Sequence, residues 1–263
     1  MSGYIERAQL RFRHVPSRLP EHSPHPWQRP NYGAKTQFVT VSNDAPAIDA
    51  VDKTRILEVL GMLLFFAQAI ECTLLTAIGK LATEESQATN ITMEKLTQLL
   101  KYCTAHPGAT FRFTASNTTL SVKSAVKGRS RAAGYFFMTS TTLTPNGPYK
   151  PNRAVHVLCH IMREVGALFH IGKEACPLRI ALEEIEHPQP ATPVAADNNT
   201  AGGTATDTVK QMRSKAINMH FYGIRNRVRQ GQFKIFCSKG QTKRADYFSK
   251  HHPASHHQDI HST

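Results

Sequence analysis

The chain has 263 residues, 40% of them hydrophobic, which is enough to bury a core as one domain with an extension. Its 32 lysines and arginines outnumber its 19 acids and produce a formal net charge of +13, which favours polyanionic partners such as nucleic acid. The five cysteines are widely spaced and form no Cys-x-x-Cys pair, which argues against a disulfide framework and for a reduced compartment.

The sequence predicts neither a secretion signal nor a membrane span. Residues 1–13 lack the apolar core of a signal peptide. The longest apolar run, residues 59–67, is too short to cross a bilayer. We therefore expect an intracellular protein of the cytoplasm or nucleus, with no membrane partner and no evident small-molecule substrate.

The first half of the chain predicts a linker followed by helices. A short helix is expected within residues 1–13, and six prolines in residues 14–50 predict an extended segment. Residues 52–82 predict a helix that begins at Asp52 or Thr54, and a second helix runs from about residue 92 to residue 103. The expected inner face of the first helix carries Leu57, Leu60, Leu64, Phe65, Phe66 and Ala67.

The second half predicts strands and two further helices. Strands are expected at residues 110–113, 118–122, 133–138 and 155–161, with a basic loop over residues 123–131. A short helix is expected over residues 175–185, and a Pro-, Ala- and Thr-rich run then leads into a strand that ends at Asp197.

Residues 213–229 predict a basic helix. Ile217, Phe221, Ile224 and Val228 recur at the helical period, Gly231 suits a helix C-terminus, and residues 232–237 alternate as in a strand. Basic residues around this stripe favour contact with a nucleic-acid backbone without base readout. The candidate binding residues are Arg213, Lys215, Arg225, Arg227, Arg229, Lys243 and Arg244.

Two acids stand near this helix in the sequence. Asp197 follows the strand, and Asp246 lies within residues 244–250. Carboxylates on rigid elements can hold a pair of divalent ions, Mg²⁺ or Mn²⁺, for phosphodiester cleavage. Alternatively, each acid caps a turn or a short helix, and with only two acids capping is the simpler interpretation.

The chain contains Asp197-Asn198-Asn199, then the stretch from Arg213 to Tyr222, then the stretch from Arg244 to Lys250. These three segments, in this order, resemble the end of the ribonuclease H domain of copia-type LTR-retrotransposon polyproteins. Residues 131–137 also resemble the second strand of that domain, and residues 58–66 resemble the segment after the polymerase palm.

The resemblance implies a fold and a division of the chain. The implied fold is α/β, an incomplete ribonuclease H-like mixed sheet with flanking helices, preceded by a helical hairpin and a Pro-rich linker. The implied regions are a linker after the palm (1–50), a helical thumb or connection region (51–106), a degenerate ribonuclease H-like domain (107–250) and a mobile His-rich tail (251–263).

The chain departs from the family in its acids. The resemblance implies four catalytic and metal-binding acids, of which Asp197 and Asp246 match the last two. The family's early strand aspartate and helix glutamate are missing, because residues 95–163 contain no acid. Glu164 is the only acid near the position where the family has its helix glutamate. No Tyr/Phe-x-Asp-Asp polymerase motif is present. We expect a nucleic-acid-binding remnant without catalysis; the alternatives are an active nuclease that cuts the RNA strand of RNA–DNA hybrids, and a fragment with no selected role.

Overall fold

The computed structural model describes residues 3–27, 45–108, 113–127, 131–140, 152–160, 164–196, 203, 215–237 and 244–262. The chain divides into two compact units, a helical unit (Met1–Thr110 with His251–Thr263) and a sheet unit (Phe111–Lys250). The elements in chain order are α1 (Tyr4–Phe12), α2 (Ala50–Ala69), α3 (Leu75–Glu84), α4 (Asn90–Ala105), β1 (Thr119–Lys127), β2 (Arg131–Thr139), β3 (Ala154–His160), α5 (Glu164–Glu184), β4 (Thr192–Ala196), α6 (Lys215–Arg229), β5 (Phe233–Cys237), α7 (Arg244–Tyr247) and α8 (Ala254–Ser262).

Helix α2 starts earlier than predicted and buries a different face. Its N-cap is Asp49, whose carboxylate accepts a hydrogen bond from the Asp52 backbone N–H at 2.7 Å. Leu57 and Phe65, which we predicted to face inward, are 52% and 56% exposed. The buried residues are Ile56, Val59, Leu60, Leu63, Phe66 and Ala67. Leu60, Phe66 and Ala67 are thus buried as predicted, whereas the rest of the predicted face was wrong. The helix is apolar almost all round, so its sequence does not reveal which side is inside.

Both ends of the chain pack more closely than the sequence predicts. Helix α1 buries Ile5, Ala8 and Phe12, and the Tyr4 ring stacks on Phe66 with centroids 5.4 Å apart. Residues 254–262 form helix α8 instead of a mobile tail, and His257 is buried at 2% exposure. Apolar and aromatic contacts within the helical unit therefore order these segments.

Cys103 shows that the core of the helical unit is closed to solvent. The thiol is buried on α4, and burial, followed by the nearby Glu71 carboxylate, raises its pKa. Because the thiolate is the reactive form, we expect Cys103 to resist alkylation in the native protein while the half-buried Cys72 reacts. Mass spectrometry after iodoacetamide treatment measures this, with the unfolded chain as the positive control. Equal labelling of the two thiols in the native protein would contradict a closed core.

The sheet unit contains one continuous five-stranded sheet in the order β3-β2-β1-β4-β5. Strand β2 is antiparallel to β1 and β3, whereas β4 is parallel to β1 and β5. The predicted fold class, a ribonuclease H-like mixed sheet with flanking helices, is confirmed. The predicted basic loop over residues 123–131 is wrong at both ends, because β1 extends to Lys127 and β2 begins at Arg131. Most of the strand predicted at 110–113 lies outside the described residues.

Helices α5 and α6 cover one face of this sheet. Phe136 is fully buried at its centre, and it shares a core with Ile171 of α5 and Ile224 of α6. Helix α5 begins at Glu164, eleven residues before the start we predicted, and it continues through Pro177. Gly172 and Pro177 weaken the helical signal in the sequence, but burial of its apolar side against the sheet stabilises the helix.

Arg179 of α5 holds the segment that enters β4. Its guanidinium is 8% exposed and donates hydrogen bonds of 2.6 Å to the Pro190 carbonyl and to the Thr192 hydroxyl. It also donates to the Gln189 carbonyl at 3.0 Å, and the Gln189 side chain accepts from the Leu120 backbone N–H at 2.9 Å. One charged side chain therefore fixes the start of β4 relative to both α5 and β1.

Candidate nucleic-acid interface and acidic site

The acids that the sequence singles out follow strands that run in the same direction. Strands β1, β3, β4 and β5 are parallel to one another, so their carboxyl ends share one edge of the sheet. Asp197 follows the last residue of β4 directly in sequence, Glu164 opens α5 after β3, and Asp246 belongs to α7 after β5. Each of the three acids therefore follows, in sequence, a strand whose carboxyl end lies at this edge. Asp197 itself and the side chains of Glu164 and Asp246 lie outside what the structure describes.

The backbone that carries Asp246 is anchored on the sheet face opposite α5 and α6. Its neighbours Ala245 and Tyr247 are buried, and the Phe248 ring stacks on Tyr135 with centroids 6.1 Å apart. The Cys159 thiol donates to the Phe248 carbonyl at 3.2 Å. Tyr135 pairs with Lys123 of β1, so the segment lies over the central strands.

Strand β1 places a cation beside β4. Lys123 pairs with Ala195, which is two residues before Asp197, and Lys123 is only 7% exposed. Its ammonium lies 6.0 Å from the centre of the Phe137 ring. Strand β1 contains no carboxylate, since it reads Thr-Leu-Ser-Val-Lys-Ser-Ala-Val-Lys. An ammonium repels divalent cations, whereas a two-metal site requires oxygen ligands.

Helix α6 carries one aromatic and two basic residues on one flank, of which Tyr222 and Arg229 are exposed and Arg225 is half-buried. Tyr222, Arg225 and Arg229 are spaced by three and four residues, which puts them on the same flank of the buried stripe. Tyr222 is 63% exposed, and the Arg225 guanidinium carbon lies 5.8 Å from the centre of its ring. We call these three residues the α6 face. They combine backbone-neutralising charge with a ring on which a base can stack.

The other predicted basic residues stand apart from the α6 face. Arg227 occupies the opposite flank of the helix and donates to the Gln232 side chain at 2.9 Å. Arg213 and Lys243 lie outside the described residues, as do the side chains of Lys215 and Arg244. Tyr222 was missed from the sequence because most aromatics there suit a core. Its spacing to Arg225 and Arg229, off the apolar stripe, is the signal that would have found it.

Within the described residues, no three His, Cys, Asp or Glu side chains are arranged to hold a metal ion. No helix in the described ranges combines the length and the apolar character that crossing a membrane requires.

Comparison with known proteins finds distant similarity to solved structures. No protein-family model matches the chain, and no curated protein matches it. A foamy viral protease–reverse transcriptase in complex with dsDNA is similar, with a TM-score of 0.49 and 9% identity over 92% of this chain and 42% of that chain. The foamy viral enzyme in complex with RNA/DNA hybrid has a TM-score of 0.41 and 12% identity over 75% of this chain and 28% of that chain.

This chain therefore spans less than half the length of those enzymes. At 9% and 12% identity, Glu164, Asp197 and Asp246 and the three residues of the α6 face have no assigned counterparts in those enzymes. The chemistry of this chain rests on its own residues.

Proposed function

We propose that the sheet unit is a copia-type, retroelement-derived ribonuclease H-like module that binds nucleic acid without sequence preference and has lost nuclease activity. The proposed partner is an RNA–DNA hybrid or another polyanion. The helical unit corresponds in this proposal to a thumb or connection region. The observation that carries the binding function is the α6 face, two arginines beside an exposed tyrosine on a chain with a net charge of +13.

The α6 face supports backbone binding because its charges are positioned to reach phosphates. Arg225 and Arg229 lie one helical turn apart, and the helix bears no acid between Lys215 and Arg229. Guanidinium groups pair bidentately with phosphate oxygens, and a neighbouring aromatic ring stacks on any base. Neither interaction reads sequence, so a sequence-independent affinity that falls with salt is expected.

The loss of catalysis is supported by β1. A two-metal nuclease needs several carboxylates on rigid elements, and Asp197 and Asp246 are the two family positions that remain. Lys123 adds a positive charge on the strand next to β4, which raises the free-energy cost of placing Mg²⁺ or Mn²⁺ there. If any activity remained, those two acids would hold the ion.

We expect the purified protein to leave a labelled RNA–DNA hybrid intact in Mg²⁺ or Mn²⁺. The physical reason is that the two carboxylates provide too few oxygen ligands for a metal pair, and the ammonium of Lys123 provides none. Electrophoresis of the labelled RNA strand measures cleavage, and Asp197→Asn is the matched variant. Electrophoretic mobility of the same hybrid measures binding, which is expected for both proteins.

An active nuclease is the second candidate, favoured because Glu164, Asp197 and Asp246 each follow in sequence a strand whose carboxyl end lies at one edge of the sheet. Metal-dependent cleavage that disappears in both Asp197→Asn and Glu164→Gln would establish this candidate and reject the inactive one. Cleavage that persists in both variants would indicate a contaminating nuclease.

A further inference from the structure

A cavity in the helical unit gathers basic side chains that are distant in sequence. It has a volume of about 130 Å³ and lies between the segment of residues 24–26, helices α3 and α4, and His251. A single water needs only about 10–15 Å³, so the cavity is large enough for a small tetrahedral anion. Its basic lining residues are His25, Lys80, Lys95 and His251, and its other walls are apolar.

The histidine wall of the cavity is held in place by hydrogen bonds. His25 is 6% exposed, and its Nδ1 donates to the Pro26 carbonyl at 3.2 Å. The Ser23 hydroxyl donates to the His25 carbonyl at 2.7 Å, and Gln98 of α4 donates to the Ser23 carbonyl at 3.1 Å. The His25 and His251 rings touch, with centroids 3.6 Å apart.

The lysine wall has more positive than negative charge. Lys95 and Lys80 place their ammonium groups 2.7 and 3.3 Å from the two oxygens of a single carboxylate, Glu84. One carboxylate therefore balances only one of the two ammonium charges. The Lys95 and Glu84 side chains are 28% and 22% exposed, so water screens these charges only in part.

We propose that this cavity binds a phosphate group, and that the phosphate belongs to the backbone of the nucleic acid. Two lysines and two histidines that line one space match an anion with several acceptor oxygens. The inference rests on the proposed nucleic-acid-binding function and adds a contact outside the sheet unit. A free phosphate has the same chemistry, and the experiment separates these two sources.

The test compares two variants with opposite expected effects on affinity for an RNA–DNA hybrid, measured by fluorescence anisotropy. Lys95→Gln is expected to weaken binding and to lower the salt slope by about 1, because one phosphate contact is lost. Glu84→Gln is expected to tighten binding about two- to fivefold, because the competing carboxylate is gone. Lys53→Gln, which removes the same charge from α2 away from the cavity, is the control. Circular dichroism establishes that each variant is folded, and Lys80→Gln replaces Lys95→Gln if that variant fails to fold.

Inorganic phosphate, followed by NMR of the histidine rings, identifies the source. Perturbed His25 and His251 signals, not reproduced by chloride at equal ionic strength, support the cavity as a phosphate site. If phosphate perturbs the rings but Lys95→Gln and Glu84→Gln bind the hybrid with the affinity of Lys53→Gln, the assignment to the nucleic-acid backbone is overturned. The ligand is then a free phosphate.

Two other outcomes separate failure of the cavity from failure of the proposed function. The cavity proposal is overturned when wild-type protein binds the hybrid, both variants behave like the control, and phosphate leaves the rings unperturbed. If wild-type protein binds no hybrid at all, the proposed function fails. The backbone assignment then fails with it, whatever phosphate does.

Discussion

Replacing Arg179 by methionine is expected to lower the free energy of unfolding of the sheet unit by about 3 kcal/mol. The change keeps an apolar stem but leaves the Pro190 and Gln189 carbonyls and the Thr192 hydroxyl without their charged donor. Each buried acceptor that loses its partner costs roughly 1–3 kcal/mol, although such costs are not additive. Denaturant unfolding followed by circular dichroism measures the change.

Two variants isolate the cause of this loss. Glu183→Gln removes the ion pair with Arg179 at 3.2 Å but keeps the guanidinium, and a loss of at most about 1 kcal/mol is expected because Glu183 is half-exposed. Arg18→Met, at an exposed position of the helical unit, is expected to change stability by less than about 0.5 kcal/mol. If Arg179→Met were as stable as Arg18→Met, the guanidinium would not hold the entry to β4.

Replacing Arg225 and Arg229 together by glutamine is expected to remove a large part of the affinity for nucleic acid. Each arginine that neutralises a phosphate contributes about −0.9 to the slope of log K against log salt, so the double variant is expected to lower the magnitude of that slope by about 2. Anisotropy titrations of an RNA–DNA hybrid and of dsDNA over a range of KCl concentrations measure the slope. Both duplexes are expected to respond alike because the contacts are to backbones.

The controls for this experiment come from the same chain. Arg7→Gln with Arg18→Gln removes the same charge from exposed positions of the helical unit. Arg227→Gln removes a charge from the other flank of α6, where the guanidinium already donates to Gln232. Both are expected to retain more of the wild-type slope than the α6-face variant. Equal slopes in all three proteins would mean that binding reflects net charge and not the α6 face.

The sequence predicted the elements whose apolar residues recur along one face. The stripe of α6, the helix over residues 90–105 and the edge strand β5 all follow from the alternation or the spacing of apolar residues. The fold class followed from the resemblance of residues 131–137, 197–199, 213–222 and 244–250 to the ribonuclease H domain of copia-type polyproteins, which implies a mixed sheet with flanking helices. The acids Asp197 and Asp246 were also found from sequence, and their roles remain predictions.

Other features of the fold escaped the sequence because local signals there conflict or are absent. Helix α2 is apolar on nearly all sides, so only packing decides that Ile56 and Leu63 face inward and Phe65 outward. Helix α5 contains Gly172 and Pro177, and its continuity depends on burial against the sheet.

By itself, then, the amino-acid sequence determined the charge of this protein and the candidate acids, since these depend on composition and short-range spacing, and its resemblance to a known family implied the fold class. Only the tertiary structure decided which of those residues meet. It buried Lys123 beside β4 and brought His251 against His25. Such contacts join residues far apart in the chain, and no local pattern encodes them because they arise from packing between elements.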